Sequence, residues 1–200
     1  GNWKMYKTTS EAAAAARALK DLTAGAAGVE VMIAPPFTAL ATVAEALADS
    51  TIATGAQNLH WEPEGAFTGE TSPGMLKAAG CTYVIVGHSE RRQYFGENDE
   101  GVNRKAKAAL ANGLKPVICI GESEAQRDAD ETFSVLDKQI KKGLNDLFVA
   151  DLKTLVIAYE PVWAIGTGKT ATKDQAQEAH AFIREKLAKV LSSDLALGIR

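Results

Sequence analysis

Cysteine is scarce in these 200 residues: only Cys81 and Cys119 occur, far apart and set in or beside apolar strand-like runs. That excludes a disulfide scaffold and reads as two reduced, buried thiols, so a reducing cytoplasm is the expected compartment. Histidine is too sparse for metal chemistry. His60, His88 and His180 stand apart, none at ligand spacing from a Cys or a second His, so no metal is expected. A surplus of one charge is missing too. Lys and Arg number 22 against 25 Asp and Glu, a net charge of −3, which lacks the basic excess that nucleic acid demands. No apolar run approaches the roughly 20 residues of a membrane span, and the first residues carry no signal-like segment. Linkers, low-complexity tracts and breaks in composition are absent as well. What these absences leave is a single globular domain, and 46% hydrophobic residues are enough to give it one sizeable core.

What is present is alternation. Apolar runs at 29–34 (stopped by Pro35-Pro36), 51–56, 83–86, 115–120 and 154–159 predict strands, and 1–6 reads as the end of an earlier one, with Asn2 and Lys4 on one face. Between them fall helical stretches at 11–22 (boxed by Thr8 and Glu11), 38–48, 73–79, 89–94, 100–112 and 124–148. A last helix runs from the Thr172/Gln175 cap to about 191. Such alternation means βαβ units and a parallel sheet. Lys4, Asn58, His88, Glu122 and Glu160 all stand just past strand C-termini, which lie on one face of a parallel sheet. An open doubly wound sheet would gather only residues near a switch point, with a Gly-rich turn after its first strand. Lys4-Met5-Tyr6-Lys7-Thr8 has no such turn. The expected fold is α/β, a (β/α)8 barrel, incomplete with about six full βα units, forming one domain over 1–200.

The most informative stretch is 155–170. An apolar strand runs into Glu160, then Pro161 fixes a hinge, Trp163 and Ile165 supply packing groups, and Gly166 and Gly168 free the far end. A lone Glu beyond a strand is ordinarily solvated. One beside a hinged, aromatic-bearing flap is a candidate general base. His88 follows Gly87 and opens a short helix, where backbone N–H groups and the positive dipole end disfavour the imidazolium. It is therefore expected to be neutral and able to donate a hydrogen bond to a carbonyl, the plainer alternative being a turn cap. Lys4, beside Asn2 at a strand end, is a candidate anion-binding group, with Glu90 the available carboxylate to hold it. Gly166-Thr167-Gly168-Lys169-Thr170 resembles part of a phosphate loop, but the nucleotide version needs a glycine where Trp163 stands. That excludes a nucleoside triphosphate and leaves the backbone of Gly166 free to grip a single phosphate.

Asn2-Trp3-Lys4-Met5, Val84-Ile85-Val86-Gly87-His88-Ser89-Glu90-Arg91-Arg92 and Ala158-Tyr159-Glu160-Pro161-Val162-Trp163-Ala164-Ile165-Gly166-Thr167-Gly168 together resemble the triosephosphate isomerases, in order and over the whole chain. The resemblance implies interconversion of dihydroxyacetone phosphate and glyceraldehyde 3-phosphate without cofactor or metal. It makes Glu160 the base, His88 the electrophile and Lys4 a catalytic cation. Asn2, Lys4 and Gly166 become substrate-binding groups, with Glu90 in support. It also implies a homodimer through the loop 57–70, and no nucleic acid or membrane partner. The rival readings are a non-catalytic phosphate-binding or assembly module on the same scaffold and an isomerase of another sugar phosphate. Binding phosphate needs neither Glu160 nor His88. A barrel of this type takes roughly 250 residues. The start of the first strand and everything after the opening of the seventh are therefore expected to be missing. The 200 residues alone are expected to fold poorly and turn over little.

Overall fold

The computed structural model describes residues 1–147 and 154–200. They form two compact units, residues 1–86 with 108–116 and residues 87–107 with 117–200.

In the first unit, α1 (Thr9–Thr23) begins where Glu11 Oε2 accepts both the N–H and the hydroxyl of Thr8, at 2.7 and 2.8 Å. Ala12, Ala13 and Ala16 are buried, and such small side chains let the helix lie close on its neighbours. The core beneath it joins Ile33, Val43, Leu47 and Ile52, with Trp3 packed at the edge. Strands β1 (Met32–Ile33), β2 (Ala53–Ala56) and β3 (Tyr83–Val86) run parallel, Met32 opposite Ala53 and Gly55 opposite Tyr83. All four β3 residues are buried, as in a strand covered on both faces. The helices here are α2 (Leu40–Ala46), entered through a 3-10 turn at Phe37–Ala39, and α3 (Pro73–Ala78), capped by Ser72.

Residues 1–6 supply one parallel bridge, Asn2 to Ala34, in place of a strand end. Lys4 has φ +52, so it leaves the extended region and strand alternation does not set its direction. The expectation that Asn2 and Lys4 share a strand face is corrected on that ground. Instead the Asn2 side chain accepts the Lys4 N–H at 2.9 Å, and Gln57 Nε2 donates to the carbonyl oxygens of Lys4 and Ala34.

In the second unit, β4 (Lys115–Ile120, its first two residues in the first unit) pairs parallel with β5 (Val156–Tyr159) over four residue pairs, Val117–Val156 to Ile120–Tyr159. Its helices are α4 (Ser89–Phe95), α5 (Asp99–Ala111, ending in the first unit), α6 (Glu124–Asp128), α7 (Thr132–Gly143), α8 (Lys173–Val190) and α9 (Ser193–Gly198). Leu136 and Ile140 on α7, and Ala179, Ile183 and Leu187 on α8, repeat every four residues and are buried, forming the unit's apolar stripes. The Phe133 and Phe182 rings meet at 4.6 Å.

The stretch 124–148, predicted to be mostly helical, holds two helices parted at Asp130, whose φ of +57 no α-helix accommodates, and Phe148 lies outside the described residues. Helix α9 was not predicted, although Ser192-Ser193-Asp194 is a capping sequence. After α9 the Arg200 carbonyl accepts the Ile157 N–H at 2.8 Å, so backbone pairing with β5 resumes where a seventh strand is predicted to open.

Candidate active site

Gly87 and Gly121, both in the second unit and just past β3 and β4, are built alike, each with its peptide held by side chains. Gly87 has φ +73, and a Cβ there would lie 2.9 Å from Val102 and 3.1 Å from the Cys119 carbonyl. Its N–H donates to Glu97 at 3.3 Å, and its carbonyl accepts from Arg92 Nε at 2.8 Å. Both side chains are themselves fixed. Arg92 pairs with Asp99 at 2.6 Å, and Glu97 with Arg91 and Lys105 at 2.9 and 3.0 Å. This clamp sets the direction in which the chain enters α4, and so the placement of His88. At the second end, Gly121 N–H donates to Gln139 Oε1 at 2.8 Å, and Gln139 Nε2 donates back to the Gly121 carbonyl at 3.2 Å.

His88 is the N-cap of α4 and only 7% exposed. Its Nδ1 accepts the Glu90 N–H at 3.2 Å. An accepting Nδ1 carries no hydrogen, which places the ring proton of a neutral imidazole on Nε2. Nε2 faces Glu160 Oε1 at 3.3 Å, while Glu160 Oε2 accepts the Ser89 N–H at 3.3 Å. Glu90 Oε2 stands 3.6 Å from Nδ1, beyond hydrogen-bonding reach. The structure therefore brings His88, Glu90 and Glu160 together. Asn2 and Lys4 belong to the first unit.

Glu160 is held from the backbone side as well, its N–H donating to the Ile120 carbonyl at 2.8 Å. Cys119 is beside it. Burial first, then the negative charge of Glu160 and a hydrogen bond to it, push this thiol well above its ordinary range. The expected reading of Cys119 and Cys81 as buried free thiols holds.

The loop after Glu160 starts at once. Pro161 leads into a 3-10 turn at Val162–Ala164, and the Trp163 indole N–H donates to Glu122 Oε1 at 2.9 Å. Glu122 is fully buried and also accepts from Arg127 at 2.9 Å and the Tyr159 hydroxyl at 3.1 Å. Three donors satisfy a carboxylate that burial would otherwise penalise heavily. Burial, then the charge of Glu122, raises the Tyr159 phenol. Gly166 (φ +70) and Gly168 (φ +78) take left-handed conformations and stand in open space, while Thr167 folds back to donate to the Trp163 carbonyl at 2.8 Å. A cleft of about 710 Å³ is lined by Ser89, Glu160, Gln139, Trp163 and Ile165. His60 stacks on Trp61 and meets the Phe67 ring at a tilt, while the exposed His180 lies edge-on to Tyr159 at 5.9 Å.

Sequence reasoning placed Glu122 at a strand end but gave it no role, and it gave none to Gln139, Arg92 or Glu97. Glu122 carried a signal, because it follows β4 as Glu160 follows β5. Gln139 carried none, being one polar residue among several on a helix.

Parallel βα units that bring a carboxylate and an imidazole to within 3.3 Å of each other just past their strand ends fit the class of (β/α)8-barrel proteins, here an incomplete barrel. Comparison with known proteins narrows the class. The family model described as triosephosphate isomerase matches residues 1–200. The triosephosphate isomerase of Geobacter metallireducens is 57% identical over 200 residues, all of this chain and 80% of its own. Those of Endomicrobium trichonymphae (56% over 190 residues, 95% of this chain and 76% of its own) and Geotalea uraniireducens (54% over 200 residues, all of this chain and 80% of its own) are similarly related. The chain belongs to the triosephosphate isomerase family, and it is an isomerase.

Proposed function

We propose that the chain interconverts dihydroxyacetone phosphate and D-glyceraldehyde 3-phosphate, with Glu160 as the base and His88 as the hydrogen-bond donor to the substrate oxygen. The observation that carries this reading is the approach of His88 Nε2 to Glu160 Oε1 at 3.3 Å while Nδ1 accepts the Glu90 N–H. A hydrogen alpha to a carbonyl is very weakly acidic, so removing it requires stabilising the oxygen on which charge develops. Glu160 takes the proton from one carbon, His88 Nε2–H supports the enediolate oxygen, and the proton returns to the neighbouring carbon. No electrons enter or leave. The flap after Pro161 keeps water from an intermediate that would otherwise lose phosphate.

By the same family membership we assign substrate binding to Asn2, Lys4 and the backbone of Gly166. Lys4 also supplies positive charge for the oxyanion, with Glu90 in support. A homodimer through the loop 57–70 and a cytoplasmic location complete the reading; Phe67, 44% exposed in that loop, is a suitable contact. Among the described residues no helix is long and apolar enough to cross a membrane.

On a chain completed to the full barrel, Glu160→Ala is expected to lower kcat by about 10²–10⁴-fold with little change in KM, and His88→Gln to lower it as well. Turnover within tenfold of wild type in Glu160→Ala refutes the base assignment. Sedimentation showing a monomer at micromolar concentration refutes the dimer.

A further inference from the structure

We infer that Gln139 is a positioning residue for the isomerisation, setting the backbone of Gly121 against Glu160 by standing in for a neighbouring strand. In this ladder Ile120 and Glu122 turn their carbonyls to the 160s segment, accepting from Glu160 and Val162 at 2.8 and 3.2 Å. Alternate residues of a strand face opposite neighbours, so the peptide groups of Gly121 point the other way. There Gln139 meets both of them, accepting from the N–H at 2.8 Å and donating to the carbonyl at 3.2 Å. A primary amide presents one acceptor and one donor side by side, as a strand residue does.

The fit matters because Gly121 and Glu160 are in extreme proximity. A Cβ on Gly121 would fall 1.8 Å from the Glu160 carbonyl oxygen. Two peptides this close have no slack, so the register of Gly121 is transmitted to the base. Gly87, before His88, is clamped at the same two atoms by Glu97 and Arg92. Each member of the acid–base pair is thus aimed by a side-chain clamp on a strand-end glycine, and at Gly121 one residue does the whole task.

The inference rests on Glu160 being the base, and the test separates the two. Gln139→Leu removes both bonds; Gln139→Glu keeps an acceptor for the Gly121 N–H but turns a carboxylate oxygen on the Gly121 carbonyl. Both are compared with wild type and Glu160→Ala for kcat, KM and amide exchange at Gly121 and Glu160. The expected result is a loss in kcat of about 10–10²-fold for Gln139→Leu with KM within threefold, together with faster exchange at Gly121. In Gln139→Glu, kcat relative to wild type should recover as pH falls through about 4.3, the ordinary glutamate value, because a protonated carboxyl regains the donor. A residue that merely fills space would show no such acid recovery. Wild-type kcat and unchanged Gly121 exchange in Gln139→Leu overturn the inference, as does a pH-independent ratio in Gln139→Glu should the Leu variant not fold. Turnover that survives in Glu160→Ala overturns the base assignment instead. Exchange at Gly121 is read on the same samples and needs no turnover.

Discussion

Placing a methyl group on Gly121 probes the tightest contact in the candidate site. The Cβ of Gly121→Ala would fall 1.8 Å from the Glu160 carbonyl oxygen and 2.8 Å from its carbonyl carbon, whereas real Cβ contacts essentially never come below 3.0 Å. The two backbones must therefore separate by more than about 1 Å. Neither partner is a flexible side-chain end that can swing aside, and Glu160 is tied to Ile120 by a 2.8 Å hydrogen bond. The displacement therefore falls on the base itself. A misplacement of about 1 Å in a reacting group costs roughly 10²-fold in rate. The expected outcome for Gly121→Ala is thus a kcat near one-hundredth of wild type with KM little changed, measured by coupled turnover over a range of substrate concentrations. Gly25→Ala is the control, because it has no heavy atom within 4 Å and no positive φ. It should leave kcat unchanged. A Gly121→Ala enzyme that retains kcat within threefold refutes the claim that this contact aims Glu160.

Glu122→Ala leaves the buried indole N–H of Trp163 and the hydroxyl of Tyr159 without their acceptor. At about 1–3 kcal/mol for each orphaned group, urea unfolding should show a loss of roughly 2–6 kcal/mol, and a loss under 0.5 kcal/mol contradicts the network. Leu136→Ala, at a fully buried α7 position, should cost about 2–5 kcal/mol in the same assay, and a loss below about 1 kcal/mol would mean the site is not packed as described. Burial pushes the Cys81 thiol up to about 11. Because the folded value is raised, this contribution is fully present below the ordinary thiol value and is lost as pH rises through about 11. Wild type should therefore lose about 2 kcal/mol more than Cys81→Ala between pH 8 and 11. Equal losses in the two proteins refute the burial effect.

Much of the architecture was legible because local chemistry states it. The spans of β3 and β4 follow from apolar runs bounded by glycines, and the α8 capping box from Thr172 and Gln175. Where reading failed, the controlling fact was not local. A left-handed Asp130 parts the two helices of 124–148 and a left-handed Lys4 ends the strand alternation; Asp visits that region more readily than most residues without saying which Asp will, and Lys gives no sign of it at all.

By itself the sequence determined the family, the βα alternation and the pair Glu160 and His88. Those depend on residue type and spacing, which a chain carries before it folds. Only the tertiary structure decided that Glu122 anchors Trp163, that Arg92 and Glu97 clamp Gly87, and that Gln139 completes the backbone of Gly121. Each of those is a hydrogen bond between residues from 5 to 41 positions apart. Partners of this kind are chosen by where folded backbones leave a donor or acceptor unpaired, and no pattern along the chain encodes that position.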